Sequence, residues 1–321
     1  MWIFRPKVMA IAVAATTLLV GCGSADARVD KELAYRKAGM NSSMEGNYEE
    51  AVKSYDNALN QSQGKIGPLE IDLCFYKAEA QIRGGNEKEA LNTYNAILKY
   101  DDKNYDTYYL RGCFYLRTGE YKKAIQDYHA AVELQKENYS LFIAIYQSLS
   151  GSHMESEAAG FLKQALKIDG KEAEDYRERG RVYLLLKDYD KAGTNLDKAQ
   201  NMGDDQAKLY MAQLLDETGD SKAAGVIYKN YAKTHKKDGN AQEKLGDILF
   251  AQEDYQSAME AYKQALATNN ASNKQKITKH MIACYEYLGD FSTATAELEG
   301  YIEEYPMDET VLREYDFLKT R

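Results

Sequence analysis

From residue 32 to residue 306 the apolar positions return at a period close to 34. Eight alanines mark it: Ala51, Ala90, Ala124, Ala158, Ala192, Ala224, Ala258 and Ala294, spaced by 39, 34, 34, 34, 32, 34 and 36 residues. Four residues after each stands a large side chain (Tyr55, Tyr94, Tyr128, Leu162, Leu196, Tyr228, Tyr262, Leu298), and seven after it usually another alanine, as at Ala58, Ala131, Ala165, Ala199 and Ala265. The i, i+4, i+7 spacing places all three on one helix face. Alanine there lets a second helix approach closely, and Tyr or Leu fills the space beside it.

That second helix comes first in each repeat. Twelve residues before the marker alanine lies Gly39, Ala78, Gly112, Tyr146, Gly180, Ala212, Gly246 or Ile282, six of them small. Between the two helices sits a turn such as Gly46-Asn47-Tyr48 or Gly119-Glu120-Tyr121, where glycine supplies a left-handed C-cap. The pattern predicts eight helix–turn–helix repeats and no sheet. It also predicts departures. The fourth repeat has Tyr146 and His153 in place of the small residue and the turn glycine, which predicts a wider helix pair. Extra residues around 61–68 predict a loop, and the step past Ala199 is two residues short. After Pro306, residues 307–321 read as a C-terminal capping helix with Val311, Tyr315 and Leu318 on one face.

Period, pairing and small-residue placement, clearest over Tyr108–Tyr128, resemble the tetratricopeptide repeat. The resemblance covers 32–306 and implies an all-α, right-handed α-solenoid of about eight repeats, closed by a polar-backed last helix. In that family the first helices line a concave groove that holds a protein or peptide partner, with positions 2, 5, 9, 12 and 13 facing inward. Position 5 here reads Arg36, Phe75, Tyr109, Ile143, Arg177, Leu209, Glu243 and Lys279; position 9 reads Met40, Glu79, Cys113, Gln147, Arg181, Gln213, Asp247 and Ala283. The family's clamp for C-terminal peptides, Lys at position 5 and Asn at position 9 in successive repeats, is absent. Two patches stand out as groove-binding candidates. Phe75 and Tyr109, one repeat apart, offer a seat for an apolar side chain. Arg177 and Arg181, one turn apart, offer a fork for a carboxylate or phosphate. Packing within the solenoid, and ion pairs with Glu174 or Glu178, are the alternative uses of the same residues.

Residues 1–21 fall outside this pattern. Arg5 and Lys7 precede the uncharged stretch Val8–Val20, which is shorter than the ~18–20 apolar residues a membrane span needs. It ends in Leu19-Val20-Gly21-Cys22, which resembles the lipobox of bacterial lipoproteins. The resemblance implies a signal peptide removed at 1–21, acylation of Cys22 and attachment to the extracytoplasmic side of a membrane. Gly23, where aspartate would retain a lipoprotein at the inner membrane, implies the outer membrane in a two-membrane cell. Residues 22–31 are small, polar and aperiodic, and read as a tether of roughly 30 Å.

Composition narrows the function. Three prolines exclude collagen and Pro-rich disorder. A net charge of −9, falling to −11 once Arg5 and Lys7 are removed, argues against nucleic acid as the partner. The histidines (His129, His153, His235, His280) are scattered, Cys74, Cys113 and Cys284 show no metal-binding spacing, and no phosphate loop or nucleophile elbow occurs. No catalytic residue, metal or cofactor is implied. The sequence thus predicts a lipid-anchored, non-enzymatic binding scaffold of the cell envelope. Two alternatives remain: an outer-membrane lipoprotein assisting envelope-protein, pilus or secretion assembly, or a peptidoglycan-related ligand-binding or enzymatic repeat protein.

Overall fold

A computed structural model describes residues 25–268, 274–305, 311, 314, 315, 318 and 319. The signal at 1–21, Cys22 and Pro306 lie outside them. Sixteen α-helices occur among the described residues, with no strand. They pair as hairpins in chain order: α1 (Ala25–Met44) with α2 (Tyr48–Gln61), α3 (Pro68–Arg83) with α4 (Glu87–Tyr100), and α5 (Tyr105–Arg117) with α6 (Tyr121–Leu134). Then come α7 (Tyr139–Ser150) with α8 (Glu155–Ala165), α9 (Ala173–Leu185) with α10 (Tyr189–Asn201), and α11 (Ala207–Glu217) with α12 (Ser221–Thr234). Last are α13 (Gly239–Ala251) with α14 (Tyr255–Leu266), and α15 (Lys274–Tyr287) with α16 (Phe291–Glu304). The chain forms two compact units, one ending at Leu134 with three hairpins and one beginning at Gln135 with five. Within each unit every hairpin packs on its sequence neighbour, the all-α repeat stack that the periodicity predicts.

The crossing inside each hairpin follows from two side-chain sizes. All eight marker alanines are fully buried. Opposite them, a Cβ added to Gly39, Gly112 or Gly246 would come within 2.5, 2.6 and 2.5 Å of the rings of Tyr55, Tyr128 and Tyr262. Those three tyrosines are themselves buried, each contributing on the order of 2 kcal/mol through apolar burial. The missing Cβ is therefore the space the ring occupies.

Every hairpin turns through one residue in the left-handed region. Glycine does this at Gly46, Gly85, Gly119, Gly219 and Gly289, while His153, Lys187 and Glu253 adopt φ of 59°, 58° and 62°. At His153 the following amide of Met154 donates to Leu149 O at 3.0 Å, as Asn47 N does to Ser42 O at 2.8 Å. The fourth hairpin thus keeps the standard turn without its glycine. Asn or Asp then caps many of the following helices, as when Asp254 accepts from Ser257 N at 3.2 Å.

At the N-terminus the structure corrects the tether. Residues 25–31 are the first turns of α1. Polar contacts replace the apolar stripe that a periodicity reading looks for. Arg28 pairs with Glu32, which is fully buried, and reaches Glu70 Oε1 on α3 at 3.3 Å. At the other end, Val311 and Leu318 are buried in the same cluster as Leu298 and Tyr301.

Two sets of variants test this packing by chemical denaturation. Ala124→Phe is expected to overpack its crossing and cost roughly 1–3 kcal/mol. Lys187→Gly, which removes a Cβ from a left-handed turn, is expected to stabilise by about 0.5–1 kcal/mol despite the added freedom of the unfolded chain. A destabilised Lys187→Gly variant would contradict the turn geometry.

Candidate functional site: the first-helix face

The four groove residues picked out from sequence divide between the two units, and the structure treats them differently. In the N-terminal unit Phe75 and Tyr109 are half-buried on the consecutive first helices α3 and α5. Tyr109 is not held by its own helix alone: its ring lies 6.0 Å from that of Tyr128 on α6.

In the C-terminal unit Arg177 and Arg181 do meet, across a shared acid. Arg177 Nε lies 3.1 Å from Glu178 Oε1, and Arg181 Nη1 lies 3.3 Å from Glu178 Oε2. Arg177 also holds Glu174 Oε1 at 2.7 Å and Asp204 Oδ2 at 2.7 Å, with its side chain only 12% exposed. Asp204 in turn caps α11 by accepting from Ala207 N at 3.1 Å. This corrects the expectation of a fork open to a partner. Where the repeat is two residues short, Arg177 fastens α9 to the start of α11, and three carboxylates already satisfy its guanidinium. Arg181 sits 5.6 Å from the Tyr210 ring centroid.

Beside this network the first helices α11 and α13 part to leave a cleft of about 270 Å³. Leu209 and the buried Tyr228 lie at it, and Tyr228 donates to Leu209 O at 3.4 Å. Gln206, Tyr210 and Gln213 line it from α11 and the residue before it; Asn240 and the exposed Lys244 line it from α13, and Asp238, which caps α13 by accepting from Ala241 N at 3.2 Å, adds a carboxylate. Three uncharged amides offer both donors and acceptors. Its volume lies just below the ~300–1,000 Å³ of typical small-molecule sites. Sequence reasoning placed Leu209 and Gln213 at inward positions but passed over them. The signal was the neutral pair Leu209 and Gln213 between the charged pairs Arg177 with Arg181 and Glu243 with Asp247 of the neighbouring repeats.

Next to the cleft α13 and α15 are joined by charge. Lys276 Nζ lies 2.7 Å from Asp247 Oδ2 and 3.4 Å from Glu243 Oε1. Asp247 Oδ1 accepts from Tyr262 Oη at 2.9 Å and lies 3.2 Å from His280 Nδ1. Burial pushes the Asp247 carboxyl up, but the hydrogen bonds with His280, Lys276 and Tyr262 outweigh it and hold it at about 2. Histidine, aspartate and tyrosine are together here; the Lys276 and His280 contacts hold α13 against α15, and the Tyr262 bond ties α13 to α14 of its own hairpin. Among the described residues no group of three or more His, Cys, Asp or Glu side chains is placed to hold a metal ion.

Family models described as tetratricopeptide repeat match residues 105–138 and 209–273. No curated protein matches. Among solved structures, the chain is similar to one in the APC/C hetero-tetramer Cut9–Hcn1 (12% identity, TM-score 0.48), over 92% of this chain and 56% of that one. It is similar to a tetratricopeptide repeat protein from Parabacteroides merdae (18% identity, TM-score 0.49), over 79% and 99%. A third, YrrB, is a TPR protein described as having an unusual peptide-binding site (19% identity, TM-score 0.39), matched over 59% and 97%. The chain spans just over half the length of the Cut9–Hcn1 chain that it matches.

The α13–α15 junction carries a pH prediction. Because the Asp247 carboxyl is depressed from 3.8 to about 2, its contribution is complete above the ordinary carboxylate range and disappears as pH falls towards 2. Asp247→Asn is expected to cost about 2 kcal/mol at neutral pH. The variant should also lose less stability than the parent between pH 5 and pH 2. Parallel acid-denaturation curves for the two proteins would contradict the assignment.

Proposed function

We propose that this chain, with tetratricopeptide repeats at 105–138 and 209–273, is a membrane-anchored protein–protein interaction module of the bacterial cell envelope. Cys22 carries the lipid after removal of residues 1–21 and holds the module on the extracytoplasmic side. In a cell with two membranes that is the periplasmic face of the outer membrane. The motivation is the order of positive residues, short apolar stretch, small residue and cysteine at the N-terminus. Among the described residues no helix is long and apolar enough to cross a membrane.

The partner enters as an extended peptide segment across α11 and α13. The observation that carries this reading is the cleft itself. Gln206, Gln213 and Asn240 can each donate to and accept from a peptide backbone, and Leu209 with Tyr228 offers apolar surface to a side chain. Arg177 is a support and makes no partner contact in this reading; Phe75 and Tyr109 form a second, aromatic contact surface in the N-terminal unit. The module positions its partner and performs no chemical step of its own.

Photo-crosslinking in intact membranes tests this. A crosslinking residue at Gln213, in the cleft, is expected to trap a discrete partner, whereas one at Val226, exposed on α12, is not. Leu209→Arg should abolish the Gln213 adduct and weaken binding of the purified partner tenfold or more. Phe75→Ala with Tyr109→Ala should weaken it less. Adducts from Val226 and none from Gln213 would move the binding surface off the first helices. An Arg177→Glu variant is a poor probe, because it takes the α9 cation away from Asp204, adds a further carboxylate beside Glu174 and Glu178, and unsettles the fold.

A further inference from the structure

We infer that one end of the N-terminal unit, formed by the 62–67 loop and the end of α4, docks on an anionic bilayer surface. This rests on the lipid anchor at Cys22 proposed above. Only three residue steps separate Cys22 from Ala25, the start of α1, so even fully extended they span at most ~11 Å. With a tether the repeats would hang free of the surface; without one, whatever lies beside the start of α1 is carried to the headgroups.

What lies there is continuous through named contacts. Arg28, one turn into α1, reaches Glu70 Oε1 at 3.3 Å. The other Glu70 oxygen accepts from Gly67 N at 2.8 Å. Next to Gly67 stands Ile66, 46% exposed, whose carbonyl accepts from the hydroxyl of Tyr100, 59% exposed, at 3.3 Å. An exposed isoleucine bonded to an exposed tyrosine is the composition of an interfacial contact, apolar body inward and hydroxyl at headgroup level. Around them Lys65, Lys99 and Lys103 are exposed, against a single exposed acid in the α4–α5 connection, Asp102; Asp101 turns back to accept from Lys103 N at 3.0 Å. On α1 the exposed Asp30 and Lys31 offset each other, so the 62–67 loop and the end of α4 present three exposed lysines to one exposed aspartate in a chain of net charge −9. The opposite, turn end of the same two hairpins exposes Glu45, Glu49, Glu50, Glu87 and Glu89 against Lys53, Arg83 and Lys88, an acidic balance. An anionic bilayer repels the chain as a whole and attracts the end with the three lysines, at a scale of about fivefold in affinity for each lysine near the surface.

Fluorescence provides the test, because the chain's one tryptophan, Trp2, lies within the signal. Full-length protein produced in a lipoprotein-processing bacterium is reconstituted in phosphatidylcholine–phosphatidylglycerol vesicles with brominated acyl chains. Tryptophan in Ile66→Trp should be strongly quenched, and in Tyr121→Trp, at the turn end, it should not. Lys65→Glu, Lys99→Glu and Lys103→Glu together should shift the docked fraction of Ile66→Trp downward, roughly fivefold per lysine. Replacing phosphatidylglycerol with phosphatidylcholine should do the same. Equal quenching at positions 66 and 121 in protein that labels with a fatty-acid probe overturns the docking inference and leaves the anchor standing. Absence of label, with Trp2 emission retained in the parent protein, overturns the anchor and this inference with it.

Discussion

How closely two helices can cross decides everything else in this fold. In three hairpins a glycine gives up the volume that a tyrosine ring fills, Gly39 to Tyr55, Gly112 to Tyr128 and Gly246 to Tyr262; at Gly180 a leucine, Leu196, takes that place. Because ring and glycine lie on different helices of one hairpin, each fixes the other's register. The tyrosine hydroxyl is thereby delivered to the first-helix face: Tyr262 reaches Asp247 and Tyr128 reaches Cys113. The core residue and the surface network are thus one side chain.

On the first-helix face charge is used to stack one hairpin on the next. Arg36 to Asp72, Arg177 to Asp204 and Glu243 to Lys276 each run from position 5 of one repeat to the start of the following first helix. Partly buried pairs of this kind contribute modestly to stability, and their geometry favours one register over slipped alternatives. They also withdraw those charges from recognition. Apart from Asp238, which caps α13, what is left to meet a partner between α11 and α13 is amide and aromatic, which favours contact with a peptide backbone over selection by salt bridges. Lys244 adds one exposed cation at the rim.

The repeat was legible because its signals are volumes and periods: marker alanines, glycines opposite rings, and left-handed turn positions recur at the same intervals. The exceptions obey the same geometry with different residues. His153, Lys187 and Glu253 accept a backbone that glycine accepts more readily, since the hairpin gains more from closing than the turn loses to strain. Polar packing was not legible. Residues 25–31 carry no apolar stripe, so nothing in their pattern announces a helix held by Arg28 between Glu32 and Glu70. For the same reason Arg177 and Arg181 looked available: Glu174 and Glu178 are close in sequence, but Asp204, 27 residues on, comes into reach only when α9 and α11 stack. Their spacing was right and their partners were already inside the chain.

The early start of α1 changes what an anchor at Cys22 would accomplish. A flexible lead of ten residues would leave the repeats free to reorient, and a partner bound by them would sample a volume set by that lead. A helix that begins three residues after the anchor shortens this reach to about one helix diameter and couples the orientation of the first hairpin to the membrane plane. For the first hairpin, orientational freedom would then be removed once, by the anchor and the contacts of Arg28, before any partner arrives. A partner held on the same membrane would meet the module at a raised local concentration. Such a module favours partners that are themselves membrane-bound over soluble ones of equal intrinsic affinity, because only the former benefit from the raised local concentration.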